Sequence, residues 1–362
     1  MAGFKLPLFA FFYRSPELYF PGEWNELAKT AVLWLAAGKF MPIFSLLFGI
    51  GLALQEKRAI AKGRAFGPFI SWRMGLLVAA GVMHGILLWP GDILALYGLL
   101  GLLSPLLIKR RVLTLVRLAI AICLISIALC VSLTVSYFSQ PQVANDVRSA
   151  VDQWVLAYQN ASLPYLVALR IQEWKFVWVS TWFSDLSHAS LFFVLGLALG
   201  KSTKLEAWLS PGFRVGRLFI FSIVLAAGVG LAAVKWAYGQ PGEGLVPNLS
   251  AYLGGLIGSW ILSWGYIAGF ARLYHRYSGS WIVQGFASVG RLSLTNYLLQ
   301  SVIANLLFIP FGFGLYGRVP FSEGLALSVV IFLLQMIFSR WWLASHQSGP
   351  AEYLWRMLSY PR

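Results

Sequence analysis

Charge is what this chain lacks most. Only 11% of its 362 residues are Asp, Glu, Lys or Arg, while 59% are hydrophobic. A water-soluble fold of this length cannot hide that much apolar surface, so a soluble enzyme is excluded. Acid is scarcest, with 13 Asp and Glu against 28 Lys and Arg. The two cysteines, Cys123 and Cys130, lie seven residues apart in one apolar run. They form no disulfide framework. Without two further ligands nearby they hold no zinc either, so both read as core packing and no metal is expected. Short-period repeats, low-complexity segments and a soluble phosphate-binding loop are all missing.

What the chain has is about nine long apolar stretches, near 30–54, 69–89, 92–108, 112–138, 174–200, 215–238, 249–272, 284–309 and 322–343. A bilayer core needs about 20 apolar residues per helix, and only helices or closed barrels satisfy the backbone there. The runs are continuous rather than alternating. The expected fold is therefore all-α, a polytopic integral membrane bundle.

The net charge of +15 follows from topology rather than from nucleic-acid binding. Of the 28 basic residues, 18 fall in one alternate set of loops and the C-terminal end, 9 fall on the other side, and Arg291 lies within a helix. Cytoplasmic loops carry such an excess, and anionic inner-leaflet lipid adds to the attraction. Residues 55–68, 109–111, 201–214 and 273–283 are then inside, and so is the C-terminus. The expected location is a membrane crossed many times, with lipid as partner and no nucleic acid.

The organisation expected is an external or interfacial segment 1–29, membrane helices over 30–138, an external segment 139–173, further membrane helices over 174–345, and a cytoplasmic tail 346–362. The segment 139–173 mixes Gln140, Asp146, Asp152, Trp154, Tyr158 and Tyr165, and reads as an amphipathic helix on the outer surface. In this topology the span 30–54 runs from outside to inside. Phe4 to Phe12 is too short to cross and lacks a signal-peptide cleavage site, so the topology favours a further helix ahead of it.

Ionisable residues inside a membrane are costly and face cavities or partners. Three clusters stand out. The first is His84 with Asp92 and Tyr97: the turn Pro90-Gly91 makes their helices antiparallel neighbours. A carboxylate beside an imidazole fixes its tautomer and raises its basicity, which suits a general base. The plainer reading is a helix cap at Asp92 and one interhelical hydrogen bond at His84. The second is Asp185 and His188, three apart on one helical face among Trp178, Trp182 and Phe183. They suit a proton relay or a substrate site. The third is the run Gly290 to Ser301. Arg291 there has no acid at i±3 or i±4 and calls for an anionic partner, Asp185 or a ligand phosphate. Ser293, Asn296 and Gln300 lie close to one face and could equally be interhelical polar glue.

Four ordered motifs carry a resemblance. Lys39-Phe40-Met41-Pro42-Ile43-Phe44-Ser45-Leu46-Leu47-Phe48-Gly49-Ile50-Gly51 resembles the "KF…LFSxLFGxG" segment of the bacterial YeiB-like, DUF418-containing membrane proteins. Arg73, Gly81, His84, Gly91-Asp92-Ile93-Leu94 and Tyr97 resemble its "RR…G…H…GDIL…Y" segment. The run from Gly290 to Ser301 resembles "GRMALTNYLxQS", and Gly349 to Arg356 resembles the closing "GPxExLWR". The family pattern has ten helices and opens with an "R…LDxLRG" helix that this chain does not show.

The layout of that family is similar to the transmembrane acyltransferases, which use cytosolic acyl-CoA. The resemblance implies His84 as base and Asp92 as its orienter. Arg291 would hold a CoA phosphate, with Asn296 nearby, and an acceptor would arrive from outside. No permanently bound cofactor is implied; acyl-CoA would be a donor substrate. The competing reading is a transporter of a small or anionic solute. It would use Asp185 and His188 at the midplane and glycine-broken helices at Gly49 and Gly51 or at Gly254, Gly255 and Gly258.

Overall fold

A computed structural model describes residues 5–6, 20–63, 65–138, 143–180, 182–202, 225 and 245–359. Among the described residues the regular elements are all α-helices. They are α1 (Glu23–Leu35), α2 (Phe40–Ala61), α3 (Phe66–Leu87), α4 (Leu94–Leu107), α5 (Val112–Phe138), α6 (Val143–Gln159), α7 (Leu163–Ser180), α8 (Trp182–Lys201), α9 (Leu245–Tyr277), α10 (Trp281–Arg291), α11 (Ser293–Phe308), α12 (Phe321–Ser345) and α13 (Pro350–Ser359). By length and composition α2, α3, the Val112–Leu129 part of α5 and α12 can each cross a membrane, and α4 and the Leu186–Lys201 part of α8 are shorter apolar helices. The expected span 215–238 lies outside the described residues, apart from Leu225.

Two expected spans are each split in two. The run 30–54 breaks between α1 and α2, where Gly38 takes φ 74°, a left-handed conformation that glycine adopts without penalty. Pro42 then sits in the first turn of α2, where its missing N–H is not needed. Lys39 Nζ donates to Leu33 O at 2.6 Å and ties off the end of α1. The run 284–309 breaks at Leu292, between α10 and α11. Hydropathy is continuous across both breaks, so composition does not reveal them.

The segment 139–173 is not one surface helix. It forms α6 and most of α7, and α7 carries on into the run expected to be the span 174–200. Val151, Val155, Tyr158, Leu166 and Leu169 pack with Ala304 and Phe308 of α11 and with Tyr316 in one apolar cluster. The other cluster joins α2, α3, α4, α5 and α8, with Cys123 partly buried against it. The side chain of Cys130 lies outside the described set.

Small residues set the helix spacing. A Cβ on Gly49 would fall 2.3 Å from Phe193 O, and one on Gly196 would fall 2.2 Å from Leu46 O. Thus α2 and α8 touch backbone to backbone, as membrane helices do through glycine. Gly49 and Gly51 lie inside the unbroken α2, and Gly254, Gly255 and Gly258 inside the unbroken α9. None of them breaks a helix. The antiparallel pair α3 and α4 closes the same way, with Gly81 against Ala95, Gly98 against Val78 and Gly101 against Met74.

Residues 346–362, expected as a tail, hold the docked helix α13. Trp72 Nε1 donates to Leu358 O at 3.1 Å. Lys5 and Leu6 are buried as well: Gly317 N donates to Lys5 O at 2.8 Å, and Lys5 Nζ lies 3.7 Å from the centre of the Phe321 ring.

Candidate functional site

The turn Trp89-Pro90-Gly91 folds Asp92 back onto the end of α3. Asp92 Oδ2 accepts from Ala95 N at 2.9 Å and caps α4, while Asp92 Oδ1 lies 3.0 Å from His84 Nδ1. That oxygen stands off the line of a ring N–H, so the contact is a close approach rather than an aligned hydrogen bond. Gly81 makes the approach possible, because a Cβ there would fall 2.6 Å from Asp92 Oδ2. His84 is 4% exposed and Asp92 8%.

The other edge of the imidazole meets α11. His84 Nε2 is 2.8 Å from Ser301 Oγ. Tyr297, one turn earlier, donates its hydroxyl to Asp92 Oδ1 at 3.1 Å, and its ring lies 4.8 Å from the imidazole. Asn305, one turn later, donates to Leu88 O at 3.0 Å. His84 pairs with Ser301 and Leu88 with Asn305, so α3 and α11 run parallel in this register. The result is a buried Asp–His–Ser series. With the ring proton on Nδ1, Nε2 accepts a hydroxyl proton; with it on Nε2, the ring donates to Ser301 Oγ.

A second polar group lies one turn beyond Ser301. Arg170 of α7 donates to Leu87 O and to Asn305 Oδ1. Tyr158 donates to Glu173 Oε2 at 2.6 Å and stacks on Tyr316 with ring centres 4.6 Å apart. Burial, and then the Glu173 carboxylate, push both tyrosine hydroxyls above their ordinary pKa, so they stay protonated donors. These groups, with Trp89, Pro90 and Ala304, line a cavity of about 20 Å³, room for one or two waters. Beside it Trp174 Nε1 is buried without a hydrogen-bond partner, against Gly85.

The remaining expected residues are not gathered here. Tyr97 turns to α2, with its hydroxyl 3.2 Å from Ser45 Oγ and 3.3 Å from Met41 O. It stays outside the His84 site because Asp92 ends before α4 begins and the helix rotates Tyr97 away. His188 meets the edge of Trp260 at 5.8 Å, and its Nε2 is buried and unpartnered. The Asp185 side chain lies outside the described set. Arg291 is exposed at the α10–α11 break and donates to Gln347 O at 3.3 Å. The expectation of a buried, unpaired guanidinium fails, because the helix that was to bury it ends there.

Asn296 is separate from Arg291. It is 3% exposed and donates to Ser339 Oγ at 2.9 Å. Gln335 donates to Asn296 O at 2.9 Å and accepts from Gln300 at 2.8 Å. That is interhelical polar glue between α11 and α12. The break at Leu292 is closed from α13: Glu352 Oε1 accepts from Leu294 N at 2.7 Å and Thr295 N at 3.0 Å. A carboxylate on the first N–H groups of a helix both caps it and complements its dipole. A Cβ on Gly349 would fall 2.2 Å from Glu352 Oε2, so a larger residue there would have to push the capping carboxylate aside.

Ser301 and Tyr297 were not assigned from sequence, although both stand in the Gly290–Ser301 run. The signal was there: Tyr297, Ser301 and Asn305 recur every four residues and share one face. Arg170 and Glu173 carried no such signal.

Fold and site together define a helical membrane protein with a buried histidine held between a carboxylate and a hydroxyl. Its likeness is to the YeiB-like, DUF418-containing proteins. Residues 199–362 match the model described as "Protein of unknown function (DUF418)". That region contains Tyr297, Ser301 and Glu352, whereas His84 and Asp92 precede it. The chain is similar to YxaH of Bacillus subtilis (strain 168), at 29% identity over 99% of this chain and 89% of the relative. It is similar to YeiB of Escherichia coli (strain K12), at 28% identity over 89% and 81% of the two chains. No solved structure matches.

Proposed function

We propose that this protein is a bacterial inner-membrane acyltransferase that moves an acyl group from cytosolic acyl-CoA to a hydroxyl acceptor at the outer face. His84 is the general base and Asp92 its positioning residue. One observation carries the reading: a buried imidazole with a carboxylate 3.0 Å from Nδ1 and a hydroxyl 2.8 Å from Nε2. An imidazole so held takes a proton at Nε2, and the imidazolium that forms is stabilised by Asp92. Lipid is the surrounding partner, and the C-terminus is cytoplasmic.

Arg291 holds a phosphate of the donor and Asn296 steadies the helix behind it. An exposed guanidinium suits a phosphate arriving from solvent. Eight residues of α11 separate Ser293 from Ser301, about 12 Å along the axis, a distance that an extended pantetheine arm spans. The basic loop that ends at α3 lies at the opposite end of that helix from His84, as a cytosolic donor and an outer acceptor require.

Transport of an anionic solute through Asp185 and His188 is the alternative, favoured by the unpartnered His188 Nε2. Release of CoA thiol from acetyl-CoA by purified protein in nanodiscs separates the two. Acyl transfer predicts release that disappears in His84→Ala and persists in His188→Ala. No release and no binding of CoA would move the assignment to transport.

A further inference from the structure

Resting on the acyl-transfer reading, we infer that Ser301 is a nucleophile that carries the acyl group as an ester between donor and acceptor.

The serines of this protein supply their own reference. A helical serine usually returns its hydroxyl to the carbonyl four residues back. Ser45, Ser126, Ser263, Ser288 and Ser328 do so at 2.8, 2.7, 2.7, 2.8 and 2.6 Å. Ser301 also reaches the carbonyl four back, but its bond to Tyr297 O is 3.3 Å, the longest of the set, while its distance to His84 Nε2 is 2.8 Å. Ser301 is 2% exposed, so water does not compete for the hydroxyl. Its best partner is a basic nitrogen on another helix. Three separate chain segments (α3, the turn before α4, and α11) bring the three groups together. This is the hydroxyl–imidazole–carboxylate order of an activated nucleophile, recognised by geometry rather than by position in the chain.

The chemistry balances with an acyl thioester and an alcohol as the two reactants. Ser301 Oγ bonds to the thioester carbonyl carbon and gives its proton to His84 Nε2. The C–S bond breaks, and that proton passes to the departing sulfur, which leaves as a thiol. The acceptor hydroxyl then gives its proton to Nε2 as its oxygen attacks the seryl ester. The C–Oγ bond breaks and the proton returns to Ser301. Nothing is oxidised or reduced. Asp92, 3.0 Å from Nδ1, positions the imidazole through both steps. The cavity at Ala304 and Asn305, one turn away, is the side from which a polar acceptor approaches.

The test uses the full chain in nanodiscs with two probes. The first is acetyl-CoA without acceptor, quenched rapidly and read by intact-protein and peptide mass spectrometry. The second is a fluorophosphonate, which reacts with activated serines whatever the natural donor. The expected results are one acetyl group and one phosphonate, both on the peptide containing Ser301, and both lost in His84→Ala. CoA release falls about 10⁴-fold in Ser301→Ala, the scale of losing a triad member. Ser301→Cys covers the case in which the alanine variant fails to fold. It is expected to carry its acyl group as a hydroxylamine-sensitive thioester.

CoA release unchanged in Ser301→Ala would overturn the proposal, because His84 would then act on the acceptor directly. Neither acetyl nor phosphonate on Ser301 would overturn it as well. Wild-type protein that releases no CoA thiol but is phosphonylated at Ser301, dependent on His84, would keep the nucleophile and reject the acyl-CoA reading alone.

Discussion

Two faces of α11 carry polar side chains into the bundle. On one, Asn296 and Gln300 meet Ser339 and Gln335 of α12. On the other, Tyr297 and Ser301 meet Asp92 and His84. Both faces are buried, both pair across helices, and both lie in the same sequence motif. They differ in what can happen at them. Amides and hydroxyls in the α12 seam have no proton to exchange near neutral pH and serve as interhelical hydrogen bonds. The α3 face ends on an imidazole, a group that can accept a proton at one nitrogen while donating at the other, with a carboxylate on one side and a hydroxyl on the other. Polarity inside a membrane helix is therefore not a site in itself; a titratable group held asymmetrically is.

The largest effect expected from this contrast is on rate. His84→Ala should lower CoA release by about 10²–10⁴-fold, the usual worth of a general base. Asn296→Ala, on the seam, should leave the rate per folded molecule within a few-fold. Steady-state kinetics on monodisperse protein compares them, and an equal loss at Asn296 would erase the distinction between the two faces.

Next comes donor binding. Arg291→Ala should weaken acetyl-CoA binding by about 1.5–3 kcal/mol, the scale of a hydrogen bond to a charged group, with Lys restoring only part. Calorimetry reads it, and unchanged affinity would remove Arg291 from the donor site.

The smallest effect is structural. Glu352→Ala removes the cap on α11 and should cost about 1–2 kcal/mol, seen as a lower unfolding temperature in detergent. The turnover of folded protein should hold, because the cap lies about two turns from Ser301. A catalytic loss without a stability loss would mean that α13 belongs to the site.

Much of this was legible in sequence. Continuous hydropathy gave α3, α4, α5 and α12 closely, because each is a single apolar run between polar turns. The His84–Asp92 pairing was readable because a two-residue turn, Pro90-Gly91, fixes two neighbours locally. The break at Leu292 was not, because the carboxylate that closes it comes from Glu352, 58 positions beyond Leu294. Ser301 was missed for the same reason. Its partner lies 217 positions away, and the face shared by Tyr297, Ser301 and Asn305 does not by itself name the helix it meets. Arg291 was misread because hydropathy hid the helix end that exposes it.

Whether His84 and Asp92 act as a unit is measured most directly by a double-mutant cycle on CoA release, with wild type, His84→Ala, Asp92→Asn and the double variant. If Asp92 works only through the imidazole, the double variant is little slower than His84→Ala alone. Losses that multiply independently would show that the 3.0 Å approach between them is a helix cap beside a histidine, and not a catalytic pair.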